Sequence, residues 1–141
     1  MNLMKNILRE ARPDDLGAPK SVGIVTPYSG QVSLIRKRLA ADNQIFSLSK
    51  STGVSIEVNS VDGYQGREQD IILFSAVRSN RRGKVGFLAD WRRLNVALTR
   101  ARSAIIVVGD TDTLTAGNSY WAAFHKWCDG LDCVVDQSSL P

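Results

Sequence analysis

A chain of 141 residues accommodates one ordinary domain and excludes two. With 43% hydrophobic and 23% charged residues it has a globular composition, which excludes an intrinsically disordered segment. The formal net charge of +4 favours a polyanionic partner only weakly by itself, and two cysteines make no disulfide framework.

Met1 to Ala11 sets Leu3, Met4, Ile7, Leu8 and Ala11 at helical spacing, and Pro13 is expected to stop that helix. A polar linker leads into Ser21-Val-Gly-Ile-Val-Thr26, an apolar run ended by Pro27 that reads as a buried parallel strand. The next helix is expected to bury Val32, Ile35, Leu39 and Ala40 and to expose Arg36, Lys37 and Arg38. Asp42 to Gly53 is polar and takes no clear assignment, whereas Val54 to Val58 alternates as a strand. Asn59 to Gln69 is Gly-rich and turn-like, with room for one helical turn. Asp70-Ile-Ile-Leu-Phe-Ser75 predicts a central strand. Arg78 to Ala89 forms a basic loop, after which Asp90 can cap a helix from Trp91 to about Arg100. Ala104 to Gly109 predicts another apolar strand, followed by a short helix near Thr111 to Ala116 and a longer one from Tyr120 to Trp127. Cys133-Val-Val135 reads as a final edge strand. Strands alternating with helices imply a single α/β domain over 1–141, its core at about 20–136, with helices on both faces of a parallel sheet.

No stretch approaches the ~20 apolar residues of a membrane span, and the N-terminus has no signal-peptide pattern. The expected location is therefore intracellular, cytoplasm or nucleus, with no membrane partner. His125, Cys128 and Cys133 are near one another in sequence, but their spacing matches no common zinc pattern, so no metal site is expected. The positive charge is concentrated between Arg78 and Arg102: Arg78, Arg81, Arg82, Lys84, Arg92, Arg93, Arg100 and Arg102 stand against Asp90 alone. A solvated surface and an anion-binding face both fit such a run.

Ligands of open α/β sheets bind at the carboxyl ends of strands. The segments predicted to follow strands and to carry polar residues are Thr26-Pro-Tyr28, Ser60 to Glu68, and Arg78-Ser-Asn80. In the helix from Trp91, Leu94, Leu98 and Ala101 share the buried face at about 100° per residue. Arg93 and Arg100 fall within about 20° of one another on a different face, with Val96 and Ala97 between them. Arg102 points the opposite way if the helix continues that far. This is either an ordinary amphipathic helix or a pair of cations aimed across an interface at a phosphate.

Val61-Asp-Gly-Tyr-Gln-Gly-Arg-Glu68 and Arg92-Arg-Leu-Asn-Val-Ala-Leu-Thr-Arg-Ala-Arg102 closely resemble motifs V and VI of superfamily 1 helicases. Val25-Thr-Pro-Tyr-Ser-Gly-Gln31 resembles motif IV, and Gly86-Phe-Leu-Ala-Asp90 narrows the likeness to the Upf-type branch, which includes senataxin. The resemblance runs from about Val22 to Gly109, with the motifs in family order. It implies a RecA-like fold and the second of two motor domains that close on ATP.

By that resemblance Tyr28 would stack on the adenine, Glu68 would accept hydrogen bonds from the ribose, and Gly66 would let the backbone approach the ligand, with Gln65 nearby. Arg100 corresponds to the arginine finger on the γ-phosphate; Arg93 would lend a second charge or hold the helix through an acid. Ser60 matches the hydroxyl that touches the nucleic-acid backbone, and Thr26, Arg78 and Asn80 would border the same track. The implied partners are a first RecA-like domain and single-stranded RNA or DNA. The implied cofactor is ATP with Mg2+, the ion being held by the first domain. The chain has no G-x-x-x-x-G-K-[ST] phosphate loop, so it is expected to supply half of an ATPase and to be inactive alone. Asp110, at a strand end, is not expected to be a magnesium site. The alternative is a non-catalytic nucleic-acid-binding or regulatory module derived from a helicase.

Overall fold

The computed structural model describes residues 1–12 and 15–136; Pro13, the expected helix stop, lies outside them. The order is helix α1 (Asn2–Glu10), strand β1 (Ser21–Thr26), helices α2 (Ser29–Ala41) and α3 (Asn43–Thr52), then strands β2 (Ser55–Ser60) and β3 (Gln69–Ser75). Helix α4 (Trp91–Leu98), strand β4 (Ala101–Val108) and helices α5 (Thr111–Gly117) and α6 (Ser119–Gly130) complete it. Single 3-10 turns occupy Asp62–Tyr64 and Gly86–Ala89.

The strands form one parallel sheet in the order β2-β1-β3-β4. This is the parallel α/β architecture that the alternating pattern predicts, and it agrees with the RecA-like fold that the resemblance implies. Period-two alternation sends β1 and β3 side chains to opposite faces. Val22, Ile24 and Leu73 pack with Met4 and Leu8 of α1, Val32 of α2 and Ile45 of α3. Val25, Ile72 and Phe74 pack on the other face with Tyr64, Leu94 of α4, Leu114 of α5 and Trp121 of α6. The Trp121 indole donates to Leu88 O at 3.0 Å, so its polar atom is satisfied while its ring stacks on Phe74.

Four expectations change. The polar stretch after Asp42 is a helix: Asp42 caps it by accepting from Gln44 N and Ile45 N, and Gly53 ends it at φ 70. Ala40 of α2 is exposed rather than buried. Helix α4 stops at Leu98, so Ala101 and Arg102 belong to β4 and Ala97 takes the buried place assigned to Ala101. Cys133-Val-Val135 forms no strand, and Val134 and Val135 are exposed.

No helix among the described residues is long and apolar enough to cross a membrane. No three His, Cys, Asp or Glu side chains among them converge on a metal position.

Candidate functional site

The expected site residues fall at two ends of the sheet. Parallel strands give the sheet an amino edge and a carboxyl edge. Thr26 and Ser60 are register partners at the ends of β1 and β2, so Tyr28, two residues on, stands at the carboxyl edge. Arg78 follows the end of β3 and donates through Nε to the Tyr28 hydroxyl at 2.6 Å. Glu68 immediately precedes Gln69, the first residue of β3, and so stands at the amino edge. Arg100 immediately precedes β4 at the same edge, where its carbonyl accepts from Gln69 N at 3.0 Å.

The segment 61–68 and α4 link the edges across one face. Val61 N donates to Thr26 O at the carboxyl edge, and the chain then descends to Glu68. Midway, Tyr64 is wholly buried against Gly23, whose missing side chain leaves room for the ring; a Cβ there would lie 2.4 Å from the hydroxyl. Burial and the neighbouring Glu57 push the Tyr64 phenol up to about 12. Gly66 turns the chain at φ 77, a conformation that disfavours any side chain. Arg67 pairs with Glu57, tying the lower half of the segment to β2.

Gln65 lies beside Val96, and together with Asp62, Arg92 and Arg93 they line a cavity of ≈ 140 Å3. Arg93 is half-exposed, 3.6 Å from the Asp62 carboxylate, with its guanidinium carbon 3.3 Å from the Phe87 ring centre. That arrangement holds α4 to the segment through an acid. Glu68 is exposed and sits 3.3 Å from Arg102 Nε. An extra residue in β4 between Ala101 and Ala104, against Gln69 to Ile71, accompanies that placement; such bulges re-aim side chains. Arg100 folds back on its own helix end, donating to Val96 O and Thr99 Oγ1 at 3.0 Å each. A guanidinium tied by two such bonds must release them before it can reach outward.

Tyr28 therefore does not share a ligand site with Glu68 and Arg100. The seven residues of β3 separate the two edges by about 20 Å. Adenine is bonded directly to its ribose, so one nucleotide cannot stack on Tyr28 and bond Glu68. Thr26 is corrected as well: its side chain is wholly buried, and Oγ1 has no hydrogen-bond partner among the described residues. It cannot border a strand track. Ser60 remains partly accessible; its Oγ accepts from Gly63 N at 3.1 Å, which leaves its hydrogen to donate.

Asn80 is committed to holding its own loop. Its Oδ1 accepts from Arg82 N and Lys84 N, its Nδ2 donates to Lys84 O, and its backbone pairs with the Thr113 hydroxyl. The effect is to fix Arg81, Arg82 and Lys84 as exposed cations. Asp110 caps α5 through Thr113 N and accepts from the Ser79 hydroxyl, which together hold its carboxyl below the ordinary range. Phe87 and Arg102 carry contacts that no sequence pattern assigns: Arg102 pairs with Glu68. Phe87 lies in the quoted Gly86 to Asp90 run, but only the fold shows Arg93 on one side of it and the Tyr28 ring 6.3 Å away.

Known proteins share this frame. The sequence model of the AAA domain family matches residues 1–112. Over 110 residues the chain is 42% identical to DNA polymerase alpha-associated DNA helicase A of Saccharomyces cerevisiae, covering 77% of this chain and 15% of that protein. It is 47% identical over 118 residues to a Regulator of nonsense transcripts 1 homolog of Arabidopsis thaliana, covering 84% of this chain and 9% of that protein. Helicase sen1 of Schizosaccharomyces pombe is 42% identical over 100 residues, 71% of this chain and 6% of its own length. The chain thus spans a small part of these relatives. It belongs to the AAA domain family, as a C-terminal RecA-like domain of the superfamily 1 helicases of the Upf- and senataxin-like branch.

Proposed function

We propose that the chain is the second motor domain of an ATP-dependent helicase, with a nucleotide half-site at the amino edge and a strand face at the carboxyl edge. The observation that carries this reading is the meeting of Glu68 and Arg100 at one edge, while Ser60 and Arg78 lie at the other. The amino edge fits half a nucleotide site. Gly66 offers backbone with nothing within 4 Å of an added Cβ, and Glu68 presents an exposed carboxylate that can accept from ribose hydroxyls. Gln65 lies between the two edges, in the cavity it shares with Arg93, whose guanidinium stands against Phe87 toward the carboxyl edge.

Bound ATP would supply the free energy of γ-phosphate transfer, with Mg2+ held by a first domain. In this chain Arg100 swings away from Val96 O and Thr99 to face the γ-phosphate and stabilise its developing charge. Arg93 keeps α4 against Asp62 so that Arg100 starts from a fixed base. At the carboxyl edge Ser60 and Arg78 hold a single RNA or DNA strand through its backbone, without reading sequence. Closing and opening of the interdomain cleft then moves the strand face. The 141-residue chain alone hydrolyses ATP negligibly.

The test joins this chain to a first motor domain bearing a phosphate loop and magnesium-binding acids, and measures strand-stimulated ATPase. Arg100→Ala is expected to lower turnover by about 10³ to 10⁵. Near-normal turnover in that variant sinks the finger assignment.

A further inference from the structure

We propose that the carboxyl-edge cavity beside Tyr28 is a stacking site for one nucleobase of the bound strand. The inference rests on the strand-binding reading above and adds a contact to the base. The shared chemistry is a planar base flanked by phosphate, which a free nucleotide or a single strand could supply. The placement favours the strand.

The cavity measures ≈ 540 Å3, within the range of about 300–1,000 Å3 usual for ligand sites, and Tyr28, Arg78, Asn80, Arg82 and Lys84 are among its lining residues. It offers one aromatic ring and three cations; among the described residues no carboxylate lines it, although Asp110 accepts from the lining Ser79 hydroxyl behind the wall. A mononucleotide carries phosphate on one side of its base only. A strand carries it on both, which suits cations spread from Arg78 to Lys84. Aromatic platforms combined with cationic grooves are how single strands are held without sequence preference. Tyr28 is also two residues beyond Thr26, the register partner of Ser60, so the ring stands at the same edge of the sheet as the hydroxyl proposed to hold the backbone.

The walls are pre-positioned. The Tyr28 hydroxyl is fixed by Arg78 Nε, whose guanidinium carbon is 5.0 Å from the ring centre. Arg78 is aimed there by a tight turn in which its N–H donates to Ala76 O at 2.7 Å. The turn forces Val77 to φ 66, a region that β-branched residues rarely enter and that recurs at ligand sites. Gly86, at φ 55, lets the pair approach its backbone: a Cβ there would lie 3.0 Å from the Arg78 guanidinium and 3.4 Å from the Tyr28 hydroxyl. Phe87 lies 6.3 Å from Tyr28, ring centre to ring centre and tilted by 53°, and is itself covered by Arg93. Asn80 locks the loop that carries Arg82 and Lys84.

The experiment measures binding of the chain to a fluorescein-labelled 12-nucleotide oligothymidylate by anisotropy at low salt, beside an abasic strand of equal length. The wild-type chain is expected to prefer the base-bearing strand by roughly tenfold, as base–aromatic stacking allows. Tyr28→Leu should lose that preference, Tyr28→Phe should keep it, and excess ATP should displace neither strand. Photo-crosslinking of the wild-type chain to a 4-thiothymidine strand should mark the peptide containing Tyr28, which guards against a Leu variant that fails to fold. Equal affinity for both strands, or crosslinks confined to other peptides, overturns the base site and leaves strand binding standing. ATP competition that depends on Tyr28 overturns it in favour of a mononucleotide site. No binding to either strand overturns the strand reading together with the base site.

Discussion

The hydroxyl of Thr26 is enclosed at the end of β1 without a hydrogen-bond partner among the described residues. A buried hydroxyl in that state costs folding free energy, because water solvates it in the unfolded chain and nothing replaces the water. Valine has nearly the same shape and no polar atom. Thr26→Val is therefore expected to raise stability by about 1 kcal/mol, read as a higher urea midpoint at unchanged slope. The same variant should leave strand affinity unchanged, since the side chain reaches no surface. A marked loss of either quantity would assign the hydroxyl a partner after all. Tyr28 shows why residue identity alone misleads. An aromatic residue after a strand fits an adenine or a base of the strand equally well; the choice turns on which edge of the sheet it occupies.

Among the elements, the central strands are the most directly legible, because their apolar residues are dense. Ser21–Thr26 and Asp70–Ser75 are nearly continuous apolar runs, and the strands follow them. Helix α3 was illegible because Ile45, Phe46 and Leu48 are diluted by Ser, Lys and Thr; its local signals were Asp42 at one end and Gly53 at the other. The end of α4 was misplaced because propensity lets the helix run on to Arg100. In the fold β4 takes over at Ala101, and the Thr99 hydroxyl bonds back to Asn95 O. Cys133-Val-Val135 is too short a signal to secure a strand.

The amino edge of the sheet depends on a contact that no periodicity reveals. Asp70 accepts from Lys20 N, Ser21 N and Ser21 Oγ, fastening the starts of β1 and β3 together. Those bonds, led by Lys20 N, hold its carboxyl below the ordinary 3.8. A depressed native value means that the stabilisation is complete above the unfolded value and is lost as pH falls through the native one. The gap in urea midpoint between wild type and Asp70→Ala should therefore be widest near neutrality and narrow below 3.8. A gap independent of pH would show that the carboxylate charge contributes nothing there.

At the scale of the whole molecule, sequence order hides the separation of the two sites. The segment after β2 is also the segment before β3, so Ser60 and Glu68 look like neighbours in one loop although they stand at opposite edges. That separation suits the motor role proposed above, in which nucleotide and strand are held independently and yet by one rigid body. The connection is the 61–68 segment and α4, clamped by Asp62 and Arg93 in the upper half and by Arg67 and Glu57 in the lower. Two independent sites should respond independently to substitution. In a protein joined to a first motor domain, Glu68→Ala removes a charged acceptor from the ribose. That is worth about 1.5–3 kcal/mol, or roughly ten- to a hundredfold in the KM for ATP. Strand affinity without nucleotide should stay within about twofold, as for substitutions far from a contact. Arg78→Ala should do the reverse, lowering strand affinity and the slope of its salt dependence by about one counterion while leaving the KM for ATP at saturating strand unchanged. If both variants shift both quantities by similar factors, nucleotide and strand share one composite site, and the assignment of one ligand to each edge is wrong.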